Sequence, residues 1–216
     1  MAETSYLPKS KPMKPYFADD SVTIYHGDCR EVLPTLEPVD LVLTDPPYGV
    51  ALEGSSWDKS IPTPSEWLYP LFGKAATILV TPGNGNQQFY PAPNWTMAWF
   101  RPGSVQRVLR AAGFSHWEPI LLYGNNPFGV DAKQISPNNP DSGNGHPCPK
   151  PLTLFKWLVK ESKARTVLDP FMGSGTTLRA AKDLGLNAIG IELEEKYCEI
   201  AAKRLSQQVL QFEAVA

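Results

Sequence analysis

Between Thr166 and Glu192 the chain follows an order that few architectures accept. Thr166-Val167-Leu168 reads as a short buried strand. Asp169-Pro170-Phe171-Met172-Gly173-Ser174-Gly175-Thr176-Thr177 reads as a tight glycine loop, and Thr177–Leu184 as a helix closed by Gly185. Asn187–Ile191 is a second strand, ending in Glu192. Strand, helix and strand in this order form a βαβ unit, whose two strands run parallel. Parallel strands are buried on both faces, so helices must cover the sheet on either side. The chain of 216 residues with 42% apolar residues is long enough for one such domain.

The rest of the sequence extends the pattern. Ser21–Tyr25 reads as a strand ended by His26-Gly27-Asp28, and Cys29–Leu36 as a short helix. Asp40–Thr44 is an apolar strand stopped by Asp45-Pro46-Pro47-Tyr48-Gly49, because proline cannot donate to a ladder. Ser65–Lys74 is predicted as a helix, Ala76–Thr81 as a strand and 95–101 as a strand. Residues 104–112 are predicted as a helix ending at Gly113, and Trp117–Tyr123 as a strand. Leu152, Phe155, Leu158 and Val159 fall at helical spacing, and Lys196–Leu210 forms a last helix. Residues 1–19 are expected to be a flexible arm and 20–216 a single domain. Loops at about 50–65, 83–95 and 125–145 carry no clear period.

Net charge is −2, so any nucleic-acid contact depends on a local basic face rather than on overall charge. Cys29, Cys148 and Cys198 form no CxxC pair, and an odd count argues against a disulfide framework. Reduced thiols and a soluble, cytoplasmic protein are expected, with no signal peptide and no membrane span. His26, His116 and His146 share no metal-ligand spacing, so no metal is expected.

The glycine loop places backbone N–H groups at a helix start, where a carboxylate or phosphate fits. Glu192, at the next strand end, can accept hydrogen bonds from both ribose hydroxyls of a nucleoside. Together they suggest an adenosine-bearing ligand; the glycines alone would equally make a plain strand–helix turn. A dinucleotide pattern lacks its third glycine, where Leu178 stands, and no GK[ST] phosphate loop is present.

Asp45 follows a buried strand and should therefore sit at the carboxyl edge of the sheet, where open α/β folds bind ligands. Pro46 and Pro47 stiffen the turn. Asp45 and the Pro46 carbonyl become fixed acceptors, and Tyr48 an aromatic platform. An exocyclic amino nitrogen is a poor nucleophile, because its lone pair is delocalised into the ring. Two acceptors on its N–H bonds draw it towards tetrahedral geometry. Asp45 can take up the departing proton, directly or through solvent. Stacking on Tyr48 contributes roughly 1–3 kcal/mol. The bland alternative is an ordinary proline turn.

With these residues in place the chain resembles the amino-group DNA methyltransferases, the N6-adenine and N4-cytosine enzymes, in their permuted β group. Leu41–Gly49 (LVLTDPPYG) is similar to the catalytic motif, Val167–Thr177 (VLDPFMGSGTT) to the cofactor motif and Ile189–Leu193 (IGIEL) to the ribose motif. His146–Pro151 (HPCPKP), His26–Cys29 and Trp117–Gly124 resemble further motifs in one consistent order. The resemblance implies a Rossmann-like seven-stranded sheet, mainly parallel with one reversed strand and helices on both faces. It implies S-adenosyl-L-methionine as cofactor, and double-stranded DNA with a flipped-out base as substrate.

The implied catalytic residues are Asp45, Pro46, Pro47 and Tyr48. The implied cofactor residues are Asp28, Cys29, Asp169, Pro170, Phe171, Gly173, Ser174, Gly175, Thr176 and Glu192, with Lys150 as a neighbour and Phe171 also close to the base. Members of the group often pair, so a homodimer is implied too. The family's target-recognition region is short here, confined to about 125–145. The loop at 50–65 and the one at 83–95, with Asn84, Asn86, Gln87 and Gln88, are candidates to share the DNA contacts.

Adenine is favoured over cytosine, because SPPY is commoner among the N4-cytosine enzymes. The compact chain fits a restriction-modification or an orphan, phage-type enzyme, in a bacterial or host cytoplasm. The competing classes are an RNA or protein-amide methyltransferase, an idle DNA-binding or cofactor-sensing module, and a nucleotide-dependent oxidoreductase.

Overall fold

The computed structural model describes residues 13–50, 58–108, 113–137 and 150–206. Its strands are β1 (Phe17–Ala18), β2 (Val22–His26), β3 (Val39–Thr44), β4 (Ala75–Val80), β5 (Trp95–Phe100), β6 (Gln106–Arg107), β7 (Phe114–Ser115), β8 (Trp117–Gly124), β9 (Ala132–Gln134), β10 (Thr166–Asp169) and β11 (Asn187–Glu192). Its helices are α1 (Cys29–Val32), α2 (Pro64–Trp67), α3 (Leu152–Ser162), α4 (Thr176–Asp183) and α5 (Glu195–Ser206). Nine strands form one sheet in the order β1-β2-β11-β10-β3-β4-β8-β5-β9.

The five strands from β2 to β4 run parallel, and β8 lies antiparallel between β4 and β5. The seven strands from β2 to β5 therefore match the expected sheet with its one reversed strand. Two short edge strands extend it. The arm does not stay loose up to residue 19: Phe17 pairs with Ile24 and Ala18 with Thr23, which covers the exposed edge of β2. At the far side β9, inside the stretch expected to be a surface loop without clear period, pairs with β5.

Leu41 and Leu43 of β3 point to one apolar cluster, with Phe155 and Leu158 of α3 and Leu178 of α4. Val42 joins the opposite cluster, with Val32, Trp67, Leu71 and Ile78. Burying each such side chain is worth roughly 1.5–3 kcal/mol, so both sheet faces are held.

Two predicted helices are shorter than expected. The first stops as α at Val32 and continues as a 3-10 turn over Leu33–Thr35; the second stops at Trp67, with a 3-10 turn over Tyr69–Leu71. Pro34 and Pro70 lie in these turns and lack the N–H that an α-helix needs. Residues 106–107 belong to a hairpin with β7, not to the start of a helix, and 109–112 lie outside the described residues. The last helix is described to Ser206.

Candidate active site

The parallel strands deliver five loops to one edge of the sheet. β3 runs into Asp45–Tyr48, β10 into Pro170–Gly175, β11 into Glu192–Leu193, β2 into Gly27–Cys29 and β4 into Thr81–Asn86. The loops after β2, β3, β10 and β11 wall a cleft of about 400 Å³, a size suited to a nucleoside-containing ligand.

Asp45 accepts from three side chains there. Its Oδ1 accepts from Tyr48 Oη at 2.6 Å, Thr81 Oγ1 at 2.5 Å and Lys150 Nζ at 2.9 Å, and its Oδ2 from Lys150 Nζ at 3.1 Å. The hydroxyl of Tyr48 also contacts Lys150, whose ammonium lies 4.8 Å from the Tyr48 ring centroid. Burial, and then the neighbouring Asp45 charge, push the Tyr48 phenol well above its usual value. It stays a neutral donor.

The loop is held from behind. Asp58 Oδ1 accepts from the N–H groups of Tyr48 and Gly49, both at 2.8 Å, and Asn86 Nδ2 donates to the Tyr48 carbonyl at 3.2 Å. Gly83 has φ +76, and a Cβ there would lie 3.1 Å from three Tyr48 ring carbons. Only glycine allows the ring this close to the backbone.

Lys150 lies between two acids, Asp45 and Glu118, the latter 3.6 Å from Nζ. Burial alone would lower the Lys150 pKa, but the Asp45 and Glu118 carboxylates outweigh it and hold it above its usual value. The lysine stays charged.

On the cofactor side, Glu192 Oε2 accepts from Gly173 N at 2.9 Å and Oε1 from Glu194 N at 2.8 Å. An ionised carboxylate has about four acceptor sites, so the backbone donors leave room for a ribose hydroxyl. Burial raises the Glu192 pKa against the pull of those backbone donors. Asp28 caps α1 through Arg30 N at 2.9 Å, and its bonded Arg30 side chain pulls its pKa down. Cys29 is buried, which pushes its thiol up to about 12; the residue is a cleft wall, not a nucleophile. Phe171 lies edge-on to Trp67, with ring centroids 5.0 Å apart, and both line the cleft.

The expected site residues separate into two groups. Asp28, Cys29, Asp45, Pro46, Pro47, Tyr48, Lys150, Pro170, Phe171, Gly173 and Glu192 all line the main cleft. Asp169, Ser174 and Thr176 line a small adjoining pocket instead, which shares Asp45, Lys150, Phe171 and Gly173 with the cleft. Asp169 is 2% exposed, and its oxygens are taken by Thr44, Thr177 and Phe171 N. It ties β3, β10 and α4 together rather than offering a carboxylate to a ligand. Gly175 caps α4 with φ +80, and a Cβ there would lie 3.1 Å from Ala201; it serves packing, and lines neither space.

Other expectations are corrected by burial. Asn84 and Asn86 are buried and bond to the Trp117 and Tyr48 carbonyls, so they stabilise the loop rather than face DNA. Lys156 pairs with Asp183, joining α3 to α4. In the 50–65 loop, residues 60–63 form a wall of the cleft, while 51–57 lie outside the described residues, as do 138–149 with His146 and Cys148.

Asp58, Thr81, Trp67, Gly83 and Glu118 were missed from the sequence. Only Glu118 left a signal there, as an acid inside the apolar strand WEPILLYG.

A cleft with an acid for ribose, a glycine turn beside it and an acid loop bonded for amino-group chemistry fits S-adenosyl-L-methionine as donor. Fold and site define a methyltransferase that uses this cofactor. Residues 86–203 match the N6/N4 DNA methylase family, and the chain belongs to it; it is an enzyme that methylates exocyclic amino groups of DNA bases.

The chain is 26% identical to the DNA adenine methyltransferase YhdJ of Escherichia coli (strain K12), over 88% of this chain and 84% of that one. The M1.HpyAVI–SAM complex superimposes with a TM-score of 0.60 at 26% identity, covering 85% of this chain and 99% of that one. The cytosine-N4-specific PvuII DNA methyltransferase superimposes with a TM-score of 0.66 over 92% of this chain and 91% of that one. At 17% identity it speaks for the fold alone.

Among the described residues no helix is long and apolar enough to cross a membrane, and no group of His, Cys, Asp and Glu could hold a metal ion.

Proposed function

We propose that the chain methylates N6 of adenine in double-stranded DNA, on a base flipped into the cleft, with Asp45, Pro46, Pro47 and Tyr48 as its catalytic residues. The observation that carries this reading is the Asp45 carboxylate at the cleft wall, held in one orientation by Thr81, Tyr48 and Lys150. A fixed acceptor needs little reorganisation when an amino group arrives.

Asp45 and the Pro46 carbonyl accept the two amino N–H bonds and localise the nitrogen lone pair. The bound cofactor supplies an electrophilic methyl group on a sulfonium centre. On transfer the C–S electron pair would stay with the cofactor, and Asp45 would take up the surplus proton of the amino nitrogen, directly or through solvent. Tyr48 gives the base a stacking face, and Trp67 and Phe171 line the remaining apolar wall. Glu192 would hold the ribose, Gly173 would allow close approach, and Asp28 and Cys29 would bound the adenine end.

Adenine is preferred because the loop begins with Asp45 rather than serine, and the relative YhdJ is named an adenine methyltransferase. We assign the chain to the cytoplasm, in keeping with the free thiols of Cys29 and Cys198, and to a homodimer, which sedimentation at working concentration would test.

The test is mass spectrometry of nucleosides from DNA incubated with the enzyme and isotope-labelled cofactor. Labelled N6-methyladenine is expected. Labelled N4-methylcytosine would overturn the choice of base, and neither product would overturn DNA as substrate.

A further inference from the structure

Asp45 already serves three donors, Tyr48, Thr81 and Lys150. In the structure described here both of its oxygens bond to Lys150, at 2.9 and 3.1 Å. An ammonium on a carboxylate weakens it as an acceptor for anything else. For Asp45 to take an amino N–H of the base, Lys150 has to give ground, yet its side chain is only 11% exposed. An ammonium released at that depth needs another partner.

Such a partner lies beside it. Glu118 projects from β8 with its side chain 5% exposed. One oxygen, Oε1, pairs with Arg101 at 3.2 Å. The other, Oε2, is buried with no hydrogen-bond partner, and lies 3.6 Å from Lys150 Nζ. Leaving a buried carboxylate oxygen bare is costly, so it calls for an explanation. Charge-assisted N–H···O bonds sit at roughly 2.7–2.9 Å, so a shift of less than about one ångström would complete this one.

We propose that Glu118 is a second berth for Lys150: when the target amino group engages Asp45, the ammonium passes to Glu118 Oε2. Glu118 is then a positioning residue that acts on Asp45 through Lys150. The inference rests on the reading of Asp45 as the acceptor. Among the described residues, the groups facing Lys150 are Asp45 and Tyr48 from the loop after β3 and Glu118 from β8. Arg101, just after β5, stands behind Glu118; Asp169 of β10 and Tyr90 lie beyond Asp45 and feel its charge. Losing the Glu118 charge therefore weakens the hold on the Lys150 proton and leaves Asp45 as its main anionic partner.

The test is steady-state methylation of DNA by Glu118→Gln across neutral to alkaline pH, beside the native enzyme. At neutral pH kcat should fall about 10–100-fold, the range typical when a supporting partner of a functional group is removed, while KM for the cofactor changes little. The loss should recover as pH rises, because Lys150 then gives up its proton and frees Asp45. An unchanged kcat overturns the proposal, as does a loss that is the same at every pH.

Glu118→Asp is the second variant, and it decides the matter if Glu118→Gln does not fold. It keeps the charge but shortens the reach, so it should lose kcat without the alkaline recovery; full activity in it overturns the proposal. If the native enzyme moves no methyl group onto DNA, the reading of Asp45 falls and Glu118 with it. If the native enzyme is active and both variants match it, only Glu118 falls.

Discussion

Asp45 and Asp169 are both acids at the ends of neighbouring strands, yet their surroundings separate their roles. Asp45 lines the cleft with its side chain 25% exposed, while Asp169 is sealed between two threonines. Asp45→Ala removes the acceptor and proton sink, so kcat should drop by about 10²–10⁴. Cofactor affinity, measured by calorimetry, should stay close to native, because none of the groups around Glu192 is touched.

Asp169 should show itself in stability instead. Burial raises its pKa to about 7, against the pull of its threonine and backbone donors. Between its unfolded value and about 7 the folded state holds the extra proton, so this group's contribution to stability falls as pH rises through that window. Asp169→Asn mimics the neutral form. Its melting temperature should lack that decline, and thermal scans from acid to neutral pH would check it.

At the scale of the element, the catalytic loop owes its shape to neighbours as much as to its own prolines. Asp58 bonds two of its N–H groups, Asn86 its carbonyl, and Gly83 makes room for the Tyr48 ring. Gly83→Ala puts a side chain at φ +76, which costs roughly 1–2 kcal/mol, and pushes the Tyr48 ring from its seat. Methyl transfer should fall while cofactor affinity is kept, and parallel kinetic and calorimetric titrations would separate the two. Prolines also explain why both early helices break into 3-10 turns. Periodicity in the sequence showed that helices begin there, and Pro34 and Pro70 marked where α geometry ends. The hairpin of β6 and β7 left no comparable trace, because its two-residue strands are too short for any period to show.

For the whole molecule, the cleft draws walls from loops spread between Gly27 and Tyr197, so a ligand there clamps the sheet edge. Cofactor at about 100 times its Kd adds about 2.7 kcal/mol to the folded state. For a domain of this size that is roughly 5–10 °C in melting temperature. Glu192→Ala should abolish most of this shift in differential scanning fluorimetry, and an unchanged shift would take Glu192 out of the site.

The sequence alone determined the βαβ unit, the seven main strands and the order of the motif-bearing loops. Those features rest on local chemistry: glycine where backbone turns, proline where a ladder stops, apolar residues at the period of a strand or helix. It could not show which side chains meet. Asp45 and Lys150 are 105 residues apart, and they come together with Glu118 because β8 enters the sheet reversed between β4 and β5. That reversal sets the start of β8 beside the ends of the parallel strands. Only the tertiary structure decided that Asp45 waits bonded to a lysine, with a second acid within reach.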